Sequence, residues 1–240
     1  MPTPRIVASS GGFLQTDRHR VVRPGPILLR MLALSGKERP RLCFVMTASG
    51  DDPDYLARSY AAVADLGCDV THLALFDQPN ADPEERLCSS DVVWVGGGSV
   101  ANLLALWRLH GVDLAMRAAW ESGVVLGGVS AGSICWHVGG TTDSFGPDLR
   151  TVTDGLGFLP YGNGVHHDSE AQRRPFLERL VGDGTLPRAY ATDDGVGILY
   201  EGTEPVEVLA DRPERPAAAY LVERSGGGVR ETRLPPGPLA

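Results

Sequence analysis

Clusters of positive charge are missing from this chain. Its 240 residues hold 22 lysines and arginines against 30 aspartates and glutamates, a formal charge of -8. No run gathers the basic surface that a nucleic acid or an anionic membrane requires. Lysine itself is nearly absent, Lys37 being the only one. Any anionic group recognised here must therefore be held by one or two placed arginines. Cysteine is scarce as well. Cys43, Cys68, Cys88 and Cys135 are widely spaced, without metal-type pairing, and mostly sit in apolar contexts. They read as buried free thiols in a reducing compartment. No apolar run reaches the roughly 18 residues of a membrane span, and the opening MPTPRIVASSGGF lacks a charged leader followed by an apolar stretch. These absences point to a soluble, cytoplasmic protein. Repeats and dividing linkers are missing too, so one domain over residues 1–240 is expected, and 42% hydrophobic content supplies a sizeable core.

What is present is alternation. Short apolar runs at Ile6–Ser9, Leu42–Met46, Val70–Leu75, Val92–Val95 and Val124–Val129 read as strands, with helical patterns between them. That order predicts an α/β fold with a mostly parallel sheet and helices on both faces. Asp52-Pro53 and Asp82-Pro83-Glu84-Glu85 are helix starts, Ser99 caps a helix carrying Leu103, Leu106 and Trp107 up to Gly111, and Asp113 begins another that runs to Gly123. Beyond residue 150 the segments Val196–Tyr200, Val206–Ala210, Ala218–Val222 and Val229–Arg233 predict a C-terminal β-meander, and the tail LPPGPLA reads as a frayed end.

The chemistry centres on Gly128-Val129-Ser130-Ala131-Gly132, which follows an apolar run and precedes a helix-like stretch, Ala131 to Val138. A serine on a sharp strand-to-helix turn projects its hydroxyl from the sheet edge, and small neighbours leave room for the strained backbone. The N–H of Ala131 then lies at a helix start, where unpaired donors favour negative charge. A serine nucleophile also needs a base, a group to orient that base, and oxyanion donors. His166-His167 lies in a loop, where two imidazoles serve no core. In an extended loop their side chains diverge, so one of them faces Ser130, and His166 is expected to be that one. His19, His72, His110 and His137 read as structural or solvated, with His137 in the helix after Ser130. Asp194, before Gly195, and Asp143, in Thr141-Thr142-Asp143-Ser144, compete as the orienting acid, each equally able to be a turn former. Gly96-Gly97-Gly98-Ser99 lacks dinucleotide spacing and suits an oxyanion donor at Gly97 or Gly98, opposite Ala131. A metal at His166, His167 and Asp168 lacks a second ligand cluster, so neither metal nor cofactor is expected.

Taken together, GGGS at 96–99, SAGS at 130–133, TTDS at 141–144 and HHDSEAQRRP at 166–175 resemble the peptidase E family of serine dipeptidases, relatives of cyanophycinase with a class I glutamine-amidotransferase-like fold. The resemblance spans nearly the whole chain, from Ser9-Ser10-Gly11-Gly12 to the last strands. It implies Ser130 as nucleophile, His166 as base, Asp194 in place of the family's longer Glu, and Gly98 with Ala131 as oxyanion donors. An aspartate given a catalytic role in some of the family falls on Asp143. The family's aspartyl dipeptidases grip the substrate side chain with an arginine, which implies Arg173 or Arg174 here, small peptides as substrates, and a homodimer. Ser133-Ile134-Cys135-Trp136 is bulkier than the family's counterpart, the mark of a divergent branch. An α/β-hydrolase esterase would place its histidine last, and no histidine follows His167. An amidotransferase would place a thiol where Ser130 stands, and a ligand-binding relative would need no serine, histidine and acid together.

Overall fold

The computed structural model describes residues 2–239. From the amino terminus, β1 (Arg5–Ser9) leads to a small hairpin, β2 (Phe13–Gln15) with β3 (Val22–Pro24), and to helix α1 (Pro26–Leu34). Strands and helices then alternate: β4 (Arg41–Val45), α2 (Pro53–Val63), β5 (Asp69–Leu73), α3 (Pro83–Cys88), β6 (Val92–Val95), α4 (Val100–His110), α5 (Val112–Glu121) and β7 (Val125–Val129). In the sheet the order is β1-β7-β6-β4-β5, every neighbour parallel. This is the α/β arrangement expected; the inner strands β4, β6 and β7 are buried runs because both faces are covered, whereas the edge strand β5 carries Asp69, Thr71 and His72. In β4, Leu42 and Phe44 join the layer formed with Ile27, Met31 and Val63 of α1 and α2, whereas Cys43 and Val45 join Leu87, Leu103 and Met116 of α3, α4 and α5.

The helix starts follow from capping chemistry. Asp52 accepts from the N–H of Tyr55 at 2.6 Å, Asp82 from Glu85 at 2.8 Å, and Ser99 from Asn102 at 3.2 Å. Pro53 and Pro83 occupy first-turn positions where no N–H is missed. Gly111, at φ 69°, ends α4, and α5 starts at Val112, one residue before the expected Asp113.

Beyond β7 the chain departs from expectation. The helix predicted over Ala131–Val138 is a single turn, α6 (Ala131–Ile134), followed by β8 (His137–Thr142). Cys135 and Trp136 are fully buried, and their carbonyls accept from Leu156 and Leu159 instead of continuing the helix. His137 is thus a strand residue. Next come β9 (Arg150–Val152), β10 (Leu159–Gly164), α7 (Arg173–Gly182), β11 (Ala189–Thr192), β12 (Val196–Glu201), β13 (Glu204–Ala210), β14 (Ala219–Ser225), β15 (Gly228–Leu234) and β16 (Gly237–Pro238). The C-terminal strands are not one meander but two hairpins shared between two sheets. β12 and β13 extend the first sheet antiparallel to β1, whereas β14 and β15 join β11 in a second sheet ordered β15-β14-β11-β10-β8-β9. The tail is not frayed over its described residues, since Gly237 and Pro238 pair with β13; Ala240 lies outside them.

Three chain segments therefore meet at the end of β1. The N–H of Ser130, after β7, donates to Ser9 O; that of His166, after β10, donates to Ser10 Oγ; that of Gly195, after β11, donates to Ser10 O.

Candidate active site

Ser130 has φ 56° and ψ −111°, a strained conformation for a residue with a Cβ. Its surroundings impose that geometry. A Cβ on Gly128 would lie 2.4 Å from Val95 O, and one on Gly132 2.3 Å from the same oxygen, so the turn fits against β6 only with glycine on both sides. The Ser130 carbonyl accepts from the N–H groups of Ser133 and Ile134, which closes the single helical turn. Alongside runs the glycine loop. A Cβ on Gly97 would sit 3.4 Å from Ser130 Cβ, and Gly98, at φ 139°, passes so close to Ala48 that its own Cβ would be 2.2 Å from the Ala48 carbonyl.

His166 also has a positive φ, 54°, and its Nδ1 lies 2.5 Å from Asp194 Oδ1. The histidine holds the Asp194 carboxyl below the usual carboxylate range, against the opposing pull of partial burial. Asp194 precedes Gly195, at φ 77°, and its own N–H donates to Asp168 Oδ1 at 2.8 Å, so it is a turn former and a partner of histidine at once. The competing Asp143 is exposed, and its carboxylate lies 3.8 Å from Arg173. Of the two aspartates, Asp194 is the one in contact with His166.

His167 points the other way. Its side chain is fully buried, with Nε2 2.8 Å from Glu231 Oε2 and its ring 5.0 Å from that of Tyr220. The arginines expected to grip a substrate are engaged by the protein itself. Arg173, 3% exposed, makes a two-pronged pair with Glu170 at 2.7 and 3.0 Å. Arg174 reaches Glu231 Oε1 at 2.5 Å and lies 4.8 Å over Tyr220.

Two adjoining cavities flank the end of β1 and share Ser10, Gly11, Phe13 and Gln15. One, of about 380 Å³, is lined by His166, Asp194, Arg212 and Arg215; the other, of about 370 Å³, by Val129, Tyr55 and Arg58. Of the four cysteines expected to be buried, Cys43 and Cys135 are, whereas Cys68 is half-buried and Cys88 is exposed. Burial pushes Cys43 up to about 11 and Cys135 well above its ordinary value, leaving both protonated. His137 is buried and depressed to about 4, with Nδ1 2.9 Å from Ser133 O, so it is neutral and structural. Among the described residues no group of three His, Cys, Asp or Glu could hold a metal ion, and no helix is long and apolar enough to cross a membrane.

This arrangement, a strained serine beside a glycine loop and a histidine gripped by an aspartate, has counterparts. The sequence profile of Peptidase family S51 matches residues 6–208. The chain belongs to this family. It is a serine-type peptidase. The S51 chain is 40% identical over 231 residues to the uncharacterized peptidase YgaJ of Bacillus subtilis (strain 168), covering 96% of this chain and 97% of that protein. It is 33% identical over 137 residues to a peptidase E of Streptomyces coelicolor, covering 53% and 51% of the two. Its fold resembles the crystal structure of a peptidase from an acI-B1 Actinobacterium, with a TM-score of 0.72 at 15% identity over 98% of this chain and 95% of that one. Around the candidate residues, Ser10 contacts His166, Asp168 the N–H of Asp194, Glu170 Arg173, and Glu231 both His167 and Arg174; of these four the sequence pointed only to Asp168, and that as a discounted metal ligand. The pair Glu170–Arg173 was legible as an i, i+3 ion pair; Glu231, far away in sequence, offered no such signal.

Proposed function

We propose that this S51 peptidase hydrolyses short peptides, dipeptides with an amino-terminal aspartate among them, through Ser130, His166 and Asp194. The reading is carried by the 2.5 Å contact between His166 Nδ1 and Asp194 Oδ1. With Nδ1–H donated to the carboxylate, Nε2 is left with a lone pair to accept a proton. Ser130 Oγ attacks the peptide carbonyl carbon as its proton passes to His166 Nε2. The N–H groups of Gly98 and Ala131 stabilise the resulting oxyanion, a contribution of about 3 to 4 kcal/mol per donor in comparable proteases. Collapse breaks the C–N bond, and the proton on Nε2 goes to the departing amine. Water then attacks the acyl-serine with His166 again as base, which releases the acid and restores the Ser130 hydroxyl.

Recognition of an acidic first residue falls to different arginines from those the resemblance implied. Arg173 and Arg174 already hold carboxylates of the protein, whereas Arg212 and Arg215 line the cavity containing His166. Arginine grips a carboxylate with two parallel hydrogen bonds, which separates Asp from Asn. The deciding experiment is Ser130→Ala. Hydrolysis of a dipeptide library and labelling by a fluorophosphonate should both vanish while the melting temperature holds. Wild-type turnover in that variant would end the serine assignment.

A further inference from the structure

The Ser9-Ser10-Gly11-Gly12 segment, with which the family resemblance begins, has no part in the chemistry above. Ser10 is 6% exposed, and each of its polar groups is directed at a different part of the site. Its Oγ accepts from the His166 N–H at 3.1 Å and lies 2.7 Å from Thr192 Oγ1 and 3.2 Å from Thr192 O. Since a hydroxyl has one proton, and Oγ acts as acceptor toward His166, that proton is directed to Thr192. The Ser10 carbonyl accepts from Gly195, the residue after Asp194, at 2.9 Å, and the Ser10 N–H donates to Val196 O at 2.8 Å. Next to it, Ser9 O holds the N–H of Ser130 at 3.0 Å.

His166 needs such a restraint. At φ 54° it sits in a region that a residue with a Cβ occupies only when its surroundings hold it there. Its backbone is pinned at the N–H by Ser10, and the following N–H, that of His167, donates to Thr192 O at 3.1 Å. Thr192 thus receives both the hydroxyl of Ser10 and the amide of His167, which locks the loop of the base to the strand leading to Asp194.

We infer that Ser10 is a positioning residue: its hydroxyl fixes the backbone of His166 so that the imidazole faces Ser130 and Asp194 together. This rests on the Ser130–His166–Asp194 reading. Its effect is on orientation, so removing it should slow the chemical step while leaving substrate affinity largely intact, a misplacement of about 1 Å being enough for roughly a hundredfold loss.

The test compares Ser10→Ala with Ser10→Thr, which keeps the hydroxyl, on one dipeptide substrate. Ser10→Ala should lower kcat by about 10- to 100-fold with KM within about threefold of wild type, and Ser10→Thr should recover most of the loss. Thr192→Val, which removes the hydroxyl beside Ser10 Oγ, should give a smaller fall of the same kind and serves should Ser10→Ala fail to fold. Wild-type kcat in Ser10→Ala overturns the inference, as does equal loss in the alanine and threonine variants, or a loss confined to KM. If Ser130→Ala remains active, it is the underlying mechanism that fails; if Ser130→Ala is dead while Ser10→Ala is fully active, only the role of Ser10 falls.

Discussion

Asp194→Asn isolates what a carboxylate does for His166. The substitution keeps size and shape but replaces one oxygen of the contact at Nδ1 with an amide, so the imidazole is no longer held with Nδ1–H toward a charge. In a trypsin-type triad the equivalent change lowers turnover by about 10⁴-fold, which corresponds to about 5 kcal/mol of barrier. Stability should barely respond. The Asp194 side chain is 51% exposed, so solvent screening limits its contact with His166 to about 1 kcal/mol or less. Asn suits the turn before Gly195, and the N–H held by Asp168 is untouched. A melting-temperature shift within about 4 °C is expected for a protein of this size. The sign with pH follows from the direction of the shift. The carboxyl is held below its ordinary range, so its contribution is present above that range and is lost as pH falls through the folded-state value. The small stability gap between wild type and variant should therefore close in acid. Steady-state kinetics with thermal melts at pH 7 and pH 3 would show all of this, with Asp143→Asn as control at near wild-type turnover. If Asp194→Asn kept more than a tenth of the activity while Asp143→Asn lost it, the orienting role would belong to Asp143.

Three other outcomes follow from the packing. Gly132→Ala should cost about 3 kcal/mol in urea denaturation, because the added methyl meets the Val95 carbonyl at 2.3 Å and backbone cannot give way cheaply. Arg173→Met should lose about 1 kcal/mol or less, because the Glu170 carboxylate is 40% exposed and is solvated once the pair is broken, and should depress turnover on aspartyl and neutral dipeptides alike; selective loss on aspartyl substrates would return the grip to Arg173. His137, at about 4 in the folded chain against an ordinary 6.5, binds its proton more readily when unfolded, so wild type should lose about 3 kcal/mol of stability as pH drops from 6.5 to 4. His137→Gln should flatten that slope in denaturation curves recorded across the same range.

The parallel half of the molecule was legible because its signals are local. Asp52, Asp82 and Ser99 cap the helices that follow them, and the apolar runs between are buried strands. The elbow was legible for the same reason, its glycines and serine being contiguous. The second sheet was legible only in its hairpin, where β14 and β15 fall on segments expected as strands. Its inner strands were not, because β8 and β10 are rich in glycine, as in Gly162-Asn163-Gly164, and what makes them strands is pairing with distant segments: Gly162 with Ala189, Leu159 with His137. The stretch Ala131–Val138 is apolar apart from Ser133 and His137, too little polarity to distinguish a buried helix from a turn leading into a buried strand. The contact between His166 and Asp194 spans 28 residues, and that between His167 and Glu231 spans 64, so spacing alone left the acid undecided and gave no sign of Glu231.

Glu231 lies on β15, an edge strand of the second sheet, yet its two oxygens hold His167 and Arg174 on either side of the loop that follows His166. A strand paired along one side only, with its other backbone edge exposed, opens locally at lower cost than a strand of the core. Fraying of this hairpin would release the residue next to the base while the parallel core stayed folded. Heat inactivation should then run ahead of melting, with hydrolysis declining at temperatures where the bulk secondary structure is still intact and recovering fully on cooling.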